Sequence, residues 1–161
     1  MQVAEFSQLT NDKEKAEYCR KRFKEVLLPN QMAQDGSFPK ELARTKPYSY
    51  SLFNLDLMTA ICQILSDKTD NLYDFKLSDG RGVKKGLEYL YPFIADKSKW
   101  KQPPDVMYYE YFPNRQPCLL FGGLAYHEKK YLDLWGKLNP DPENEEAIRN
   151  FPIRQPILWV D

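Results

Sequence analysis

The sequence predicts an all-α protein, a single domain over residues 1–161, whose helices are joined by long loops rich in aromatic, proline and charged residues. Three observations predict it. Apolar residues recur at a spacing near 3.6 in several segments, no convincing pair of alternating strand-like segments occurs, and 161 residues with 42% hydrophobic composition suffice for one core but not two.

The first helix is expected between Asp12 and Leu28, where Ala16, Cys19, Phe23, Val26 and Leu27 form the apolar stripe and charged residues fill the gaps. Pro29-Asn30 ends it. The stretch NQMAQDGSFPKELARTKP is too broken by Gly, Asp, Ser and Pro for one regular element, and Asp35-Gly36 within it reads as a turn. Pro47 suits the first position of a second helix, running to Leu65, because its missing N–H costs nothing there. With Tyr48, Leu52, Leu55 and Cys62 on one side and Phe53, Leu57, Ile61 and Ile64 around much of the rest, that helix should be buried on more than one side. A polar connection leads to a third helix, Arg81 to Ala95, with Pro92 a kink point near its end. An aromatic and proline-rich loop follows, residues 98–116, then a fourth helix from Pro117 to Leu138, a short acidic helix in PENEEAIRN and an irregular tail. Loops as long as 29–47 and 98–116 are uncommon in compact helical proteins and often carry function.

Composition excludes several classes. Twenty-three basic residues balance 23 acidic ones, so the chain lacks the field of a nucleic-acid binder. No apolar run approaches the roughly 20 residues of a membrane span, and MQVAEFSQLTNDKEK has neither the basic nor the apolar region of a signal peptide. Cys19, Cys62 and Cys118 are odd in number and widely spaced, which argues for buried thiols against a disulfide framework or a metal site.

The segment ELARTKPYSYSLFNLD concentrates the chemistry. If Pro47 opens a helix, Arg44 lies just before its N-terminus, Tyr48 and Tyr50 on its first turn, and Asn54 one turn beyond Tyr50. A guanidinium, exposed backbone N–H groups and a phenol would then favour an acidic substrate group. The plainer alternative pairs Arg44 with Glu41 or another surface acid and packs Tyr50 into the core.

The longer segment DGSFPKELARTKPYSYSLFNLDLMTAICQIL resembles the motif region of the alginate lyase family of bacterial polysaccharide lyases, and PPDVMYYEYFPNRQPCLLFGGLAYHEKKYLDLW resembles a later part of the same family. The resemblance implies a partial α/α toroid of antiparallel helical hairpins and β-elimination of an acidic, uronate-containing polysaccharide, with no cofactor or metal. Such elimination needs neutralisation of the uronate carboxylate, a base for the C5 proton and an acid for the departing O4. Carried onto this chain, Arg44 matches the family's cleft arginine and Tyr50 its catalytic tyrosine, which donates to O4 and, for some epimers, first removes the C5 proton. A free tyrosine titrates near pH 10, so that second role needs a cationic setting.

The family pairs these residues with an Asn-His dipeptide, and the single histidine here, His127 in AYHEKK, stands in the wrong context. The chain therefore reads as the C-terminal portion of a larger toroid, inactive alone, from a periplasmic or secreted parent. A non-catalytic helical sugar-binding or interaction module that keeps the Arg-Tyr face is the competing expectation. Trp100, Tyr109 and neighbouring tyrosines of the 98–116 loop are candidate sugar contacts, against packing as a loop cluster. Arg115 is either a second cation for the polymer or a cap on a neighbouring element. The largely apolar circumference of the 47–65 helix predicts bare surface, hence self-association or pairing with a separate N-terminal half.

Overall fold

The computed structural model describes residues 1–160, and all regular structure among them is helical. A helix not foreseen in the sequence, α1 (Gln2–Leu9), precedes α2 (Lys13–Arg22), whose N-terminus is capped by the Asp12 carboxylate accepting from Lys15 N at 3.0 Å. The chain then widens into a π turn, Phe23–Leu27, and continues as α3 (Leu28–Gln31). Pro29 is the physical reason. In an ordinary α-helix it would remove one backbone hydrogen bond and press its ring on the carbonyl four residues back, and the wider turn before it relieves both. The helix thus passes through Pro29 instead of stopping there.

One turn of helix, α4 (Pro39–Leu42), stands within the 29–47 loop, and α5 (Pro47–Leu65) begins and ends where expected. Next come α6 (Val83–Ala95), which contains Pro92, and two 3₁₀ turns, Lys97–Lys99 and Tyr109–Tyr111. The expected helix from Pro117 to Leu138 is in fact two, α7 (Pro117–Ala125) and α8 (Lys129–Lys137). His127 takes a left-handed backbone (φ 54°) at the break, where Glu128 N donates to Gly123 O at 3.0 Å. α8 folds back on α7, with Leu132 lying over Gly123 where any side chain would collide. A short α9 (Glu145–Arg149), capped by Asn144, and a 3₁₀ turn, Pro156–Trp159, complete the described chain.

α5 is the hub, touching α1, α2, α4, α6 and α7. Leu52, Leu55, Met58, Ala60, Ile61, Cys62 and Leu65 are buried, while Phe53, Leu57 and Ile64 are half-buried. The bare flank expected on this helix is largely covered, because α1 packs against it and Gln63 Nε2 donates to Trp159 O at 2.7 Å, drawing the tail over it. Exposed apolar side chains lie elsewhere, at Val3, Phe6 and Leu9 on α1 and at Ile157 and Leu158 in the tail. Cys62 and Cys118 are buried free thiols, and burial pushes both well up from the usual thiol range.

A buried carboxylate joins α5 to α7. Asp56, wholly inaccessible, accepts from Gln116 Nε2 at 2.6 Å and from Cys118 N at 3.0 Å, so an acid on one helix caps the start of another. Burial raises its pKa to about 7, with the bonds from Cys118 and Gln116 opposing the rise. The folded state therefore holds the Asp56 proton more tightly than the unfolded chain. Its contribution to stability is complete below the ordinary carboxylate range and is lost as pH rises toward about 7. Urea unfolding from pH 5 to pH 8 is expected to show stability falling with pH, and Asp56→Asn, which removes the titrating group and keeps one acceptor oxygen, should flatten that fall at some cost in overall stability. A variant with the wild-type slope would remove Asp56 as its source.

Candidate active site

The site is built where the turn after α4 enters α5. Lys46 has no side chain able to cap a helix, so the first N–H groups of α5 must find acceptors elsewhere. They find Asp105, from the other long loop, whose carboxylate accepts from Tyr48 N at 2.8 Å and Ser49 N at 3.1 Å. The carboxylate is nearly inaccessible, and Val106 N donates to Thr45 O at 3.0 Å beside it. The helix N-terminus expected to receive a substrate acid is therefore already occupied by an acid of this chain.

The arginine and the tyrosine do meet. The Arg44 guanidinium lies 3.8 Å from the centroid of the Tyr50 ring, a cation–π contact in which Arg44 remains half exposed. Arg44 also bonds Glu41 Oε2 at 3.1 Å, as the plainer sequence reading allowed. Glu41 is held in turn: its second oxygen accepts from Asn54 Nδ2 at 3.3 Å, and the same amide donates to Gln31 Oε1. A chain of polar side chains from α3, α4 and α5 thus orients the guanidinium over the phenol. Among the described residues the Tyr50 hydroxyl has no hydrogen-bond partner, and its ring is only half-buried.

A second cation stands beside them. Lys46 Nζ lies 5.9 Å from the Tyr50 ring and 4.9 Å from that of Tyr108, and it pairs with Glu146 of α9. The hydrogen bond from Lys46 holds the Glu146 carboxyl below its usual range. A groove of about 350 Å³ opens next to this pair, lined by Tyr108, Asn144, Glu145, Glu146 and Arg149.

The other expected contacts separate from this centre. Tyr48 is fully buried, its hydroxyl donating to Phe93 O at 2.9 Å and its ring wedged between Trp100 and Tyr109, so it offers a sugar no surface. Asn54 faces Gln31 and Glu41 and acts on Arg44 through them. Tyr109 lies under the Lys97 ammonium at 3.8 Å, while Lys97 itself donates to the Tyr109 and Phe112 carbonyls. Arg115 proves to be a cap: its guanidinium donates to Trp135 O and Gly136 O, both at 3.1 Å, at the C-terminal end of α8. His127 is exposed at the α7–α8 break. Among the described residues no three His, Cys, Asp or Glu side chains converge as metal ligands would. Sequence reasoning missed Asp105 and Lys46, while Glu41 was foreseen as a partner of Arg44. The absence of Ser, Thr, Asp or Asn before Pro47 was the available signal for Asp105, since a buried helix start without its own cap requires a remote one.

Comparison with known proteins identifies the family and the fold. The family model described as Alginate lyase matches residues 1–100. A crystal structure of an alginate lyase from Bacteroides ovatus superposes with a TM-score of 0.75 at 25% sequence identity, over 93% of this chain and 40% of that one. The chain thus spans about two fifths of the length of that relative. No curated protein matches. The helical hairpins described above are accordingly part of an α/α toroid.

The remote cap gives a direct test. Asp105→Ala should lower stability by about 1–2 kcal/mol, read as an earlier urea midpoint, and should speed hydrogen exchange at the Tyr48 and Ser49 amides. Asp105→Asn, which keeps one acceptor, should recover part of both. Unchanged exchange at those two amides would show that the carboxylate does not hold them.

Proposed function

The chain belongs to the alginate lyase family, and on that premise we propose that it forms part of a polysaccharide lyase that cleaves alginate or a related polyuronate by β-elimination. The observation that carries this reading is the Arg44–Tyr50 stack, a half-exposed guanidinium held 3.8 Å from a phenol ring whose hydroxyl has no partner among the described residues. Elimination requires the C5–H bond beside a carboxylate to become acidic. A guanidinium bonded to that carboxylate withdraws charge as the carbanion develops, and Arg44 has donors to spare beyond the one given to Glu41. The Tyr50 hydroxyl then supplies the proton to O4 as the glycosidic bond breaks, leaving an unsaturated uronate at the new non-reducing end. For the C5 epimer presented on the same face, the phenolate would first take the C5 proton, a role helped by the Arg44 and Lys46 cations.

The remaining partner of this chemistry, an Asn-His dipeptide, has no counterpart in the 161 residues, whose one histidine is exposed at the α7–α8 turn. We therefore expect the 161-residue chain by itself to show little turnover. The same position of His127 favours a second reading, a helical module that binds uronate without cleaving it. A polymeric substrate places the parent protein in the periplasm or outside the cell, and self-association or pairing with a complementary half is expected through the exposed apolar residues of α1.

The absorbance of unsaturated uronate, measured with oligouronate binding, tests these roles. Tyr50→Phe should reduce any turnover at least about 100-fold and leave binding nearly unchanged, because it removes only the transferable proton. Arg44→Ala should weaken oligouronate binding at the Arg44–Tyr50 centre about tenfold or more. Full turnover in the Tyr50 variant would remove that residue from the mechanism, and binding without product would favour the module.

A further inference from the structure

Trp100, a candidate sugar contact in the sequence, does not lie with Tyr50. It packs edge-on against Tyr48, and Tyr48 and Tyr50 are two residues apart on α5, about 200° around the helix. What Trp100 does line is a separate groove of about 490 Å³, formed with Tyr89, Pro92 and Phe93 of α6 and with Lys99, Lys101 and Gln102.

From this groove we infer a second polysaccharide site, non-catalytic and specific for an acidic chain such as a polyuronate. Three aromatic rings make its wall: Tyr89 and Phe93 stand 5.6 Å apart and Phe93 and Trp100 5.2 Å apart, each pair edge to face. Their orientation is set before any ligand arrives, because Trp100 Nε1 donates to Pro103 O at 3.1 Å and Tyr48 backs the indole at 5.0 Å. Such rigid aromatic faces suit the C–H face of a sugar ring and lose little entropy on contact.

Charge selects the class of sugar. The segment KSKWKQPP carries three lysines and no acid. Lys97 is committed to the Tyr109 and Phe112 carbonyls, and desolvation lowers its pKa. Lys99 and Lys101 remain at the groove. Lys99 is 62% exposed with a loose contact to Asp96 at 3.6 Å, and Lys101 has no ion pair among the described residues. Two exposed ammonium groups beside aromatic faces, one of them only loosely paired with Asp96, complement a polymer that presents a carboxylate on every sugar. Because the groove lies across α5 from Arg44 and Tyr50, a chain bound there would hold long polymer near the cleft and raise its effective concentration at the reacting centre.

The inference rests on the polyuronate reading, and one set of titrations separates the two. Oligoalginate is titrated calorimetrically into the wild-type chain, into Arg44→Ala, into Lys99→Glu/Lys101→Glu and into Tyr89→Ser, with neutral dextran as control and circular dichroism melts to confirm folding. Arg44→Ala should retain one binding event with a Kd within about threefold of the wild-type value. The lysine pair should lose that event, at least about tenfold, with Tyr89→Ser weakening it less. Raising the salt should weaken it too, and dextran should not bind. Loss of all binding in Arg44→Ala, or an unchanged isotherm in the lysine variant, would overturn the second site while leaving the lyase reading intact. Equal binding of dextran would overturn its ligand class, and failure of the wild-type chain to bind oligoalginate at all would overturn both.

Discussion

A helix that starts inside a protein without a capping side chain must borrow an acceptor, and most of this structure's functional geometry depends on where α5 borrows it. Asp105 reaches the Tyr48 and Ser49 amides from 57 and 56 residues away, so the 98–116 loop is bound across the start of the central helix. That contact sets Val106 against Thr45, brings Tyr108 beside Lys46, and folds Trp100 and Tyr109 around the Tyr48 ring. It also decides what the site can do. With the positive end of α5 already neutralised by a carboxylate of the chain, the cation left half exposed beside the phenol is the Arg44 side chain.

The same device recurs about two turns further along the helix. Asp56 faces the start of α7 and caps it from within the core, where burial holds its proton near neutral pH. Two carboxylates, one on α5 and one received by it, therefore tie the hub to α7 and to the aromatic loop. Close packing does the rest. Gly122 of α7 sits so tightly on Leu87 of α6 that no larger residue fits without moving the leucine, and Gly86 gives α6 a similar approach to Leu55 of α5. Such contacts fix α5, and with it the Tyr50 ring, against closely packed neighbours.

Within the site, orientation passes through side chains that never need to touch substrate. Gln31, Asn54 and Glu41 form a bonded series that ends on the Arg44 guanidinium, and the planar guanidinium lies over a planar ring. Each member comes from a different helical segment, α3, α5 and α4, so the geometry of one cation reports the packing of three. Arg44 makes two contacts at once, an ion pair with Glu41 and a stack on the Tyr50 ring, because the donors lie at the edge of the guanidinium and leave its face for the ring.

By itself the sequence determined what depends on neighbours a few residues apart. The period of apolar residues marked α2, α5 and α6, Pro47 marked the start of the central helix, and the spacing of Arg44 and Tyr50 across that start was enough to bring them together, since a turn and a first helical turn have little freedom to separate them. Only the tertiary structure decided the rest. Tyr48 and Tyr50 look equivalent in PYSY, yet one is core and the other faces the site, because partners from the 98–116 loop surround only the first. Arg115 became a cap once α8 turned back at His127, and that turn depends on Leu132 meeting Gly123. α1 escaped notice since its outward face keeps Val3, Phe6 and Leu9 exposed, leaving no clean contrast between buried and solvated sides. Local periodicity is written along the chain, whereas caps, ring contacts and covered faces are supplied by residues tens of positions away, whose approach is set by how the helices close on one another.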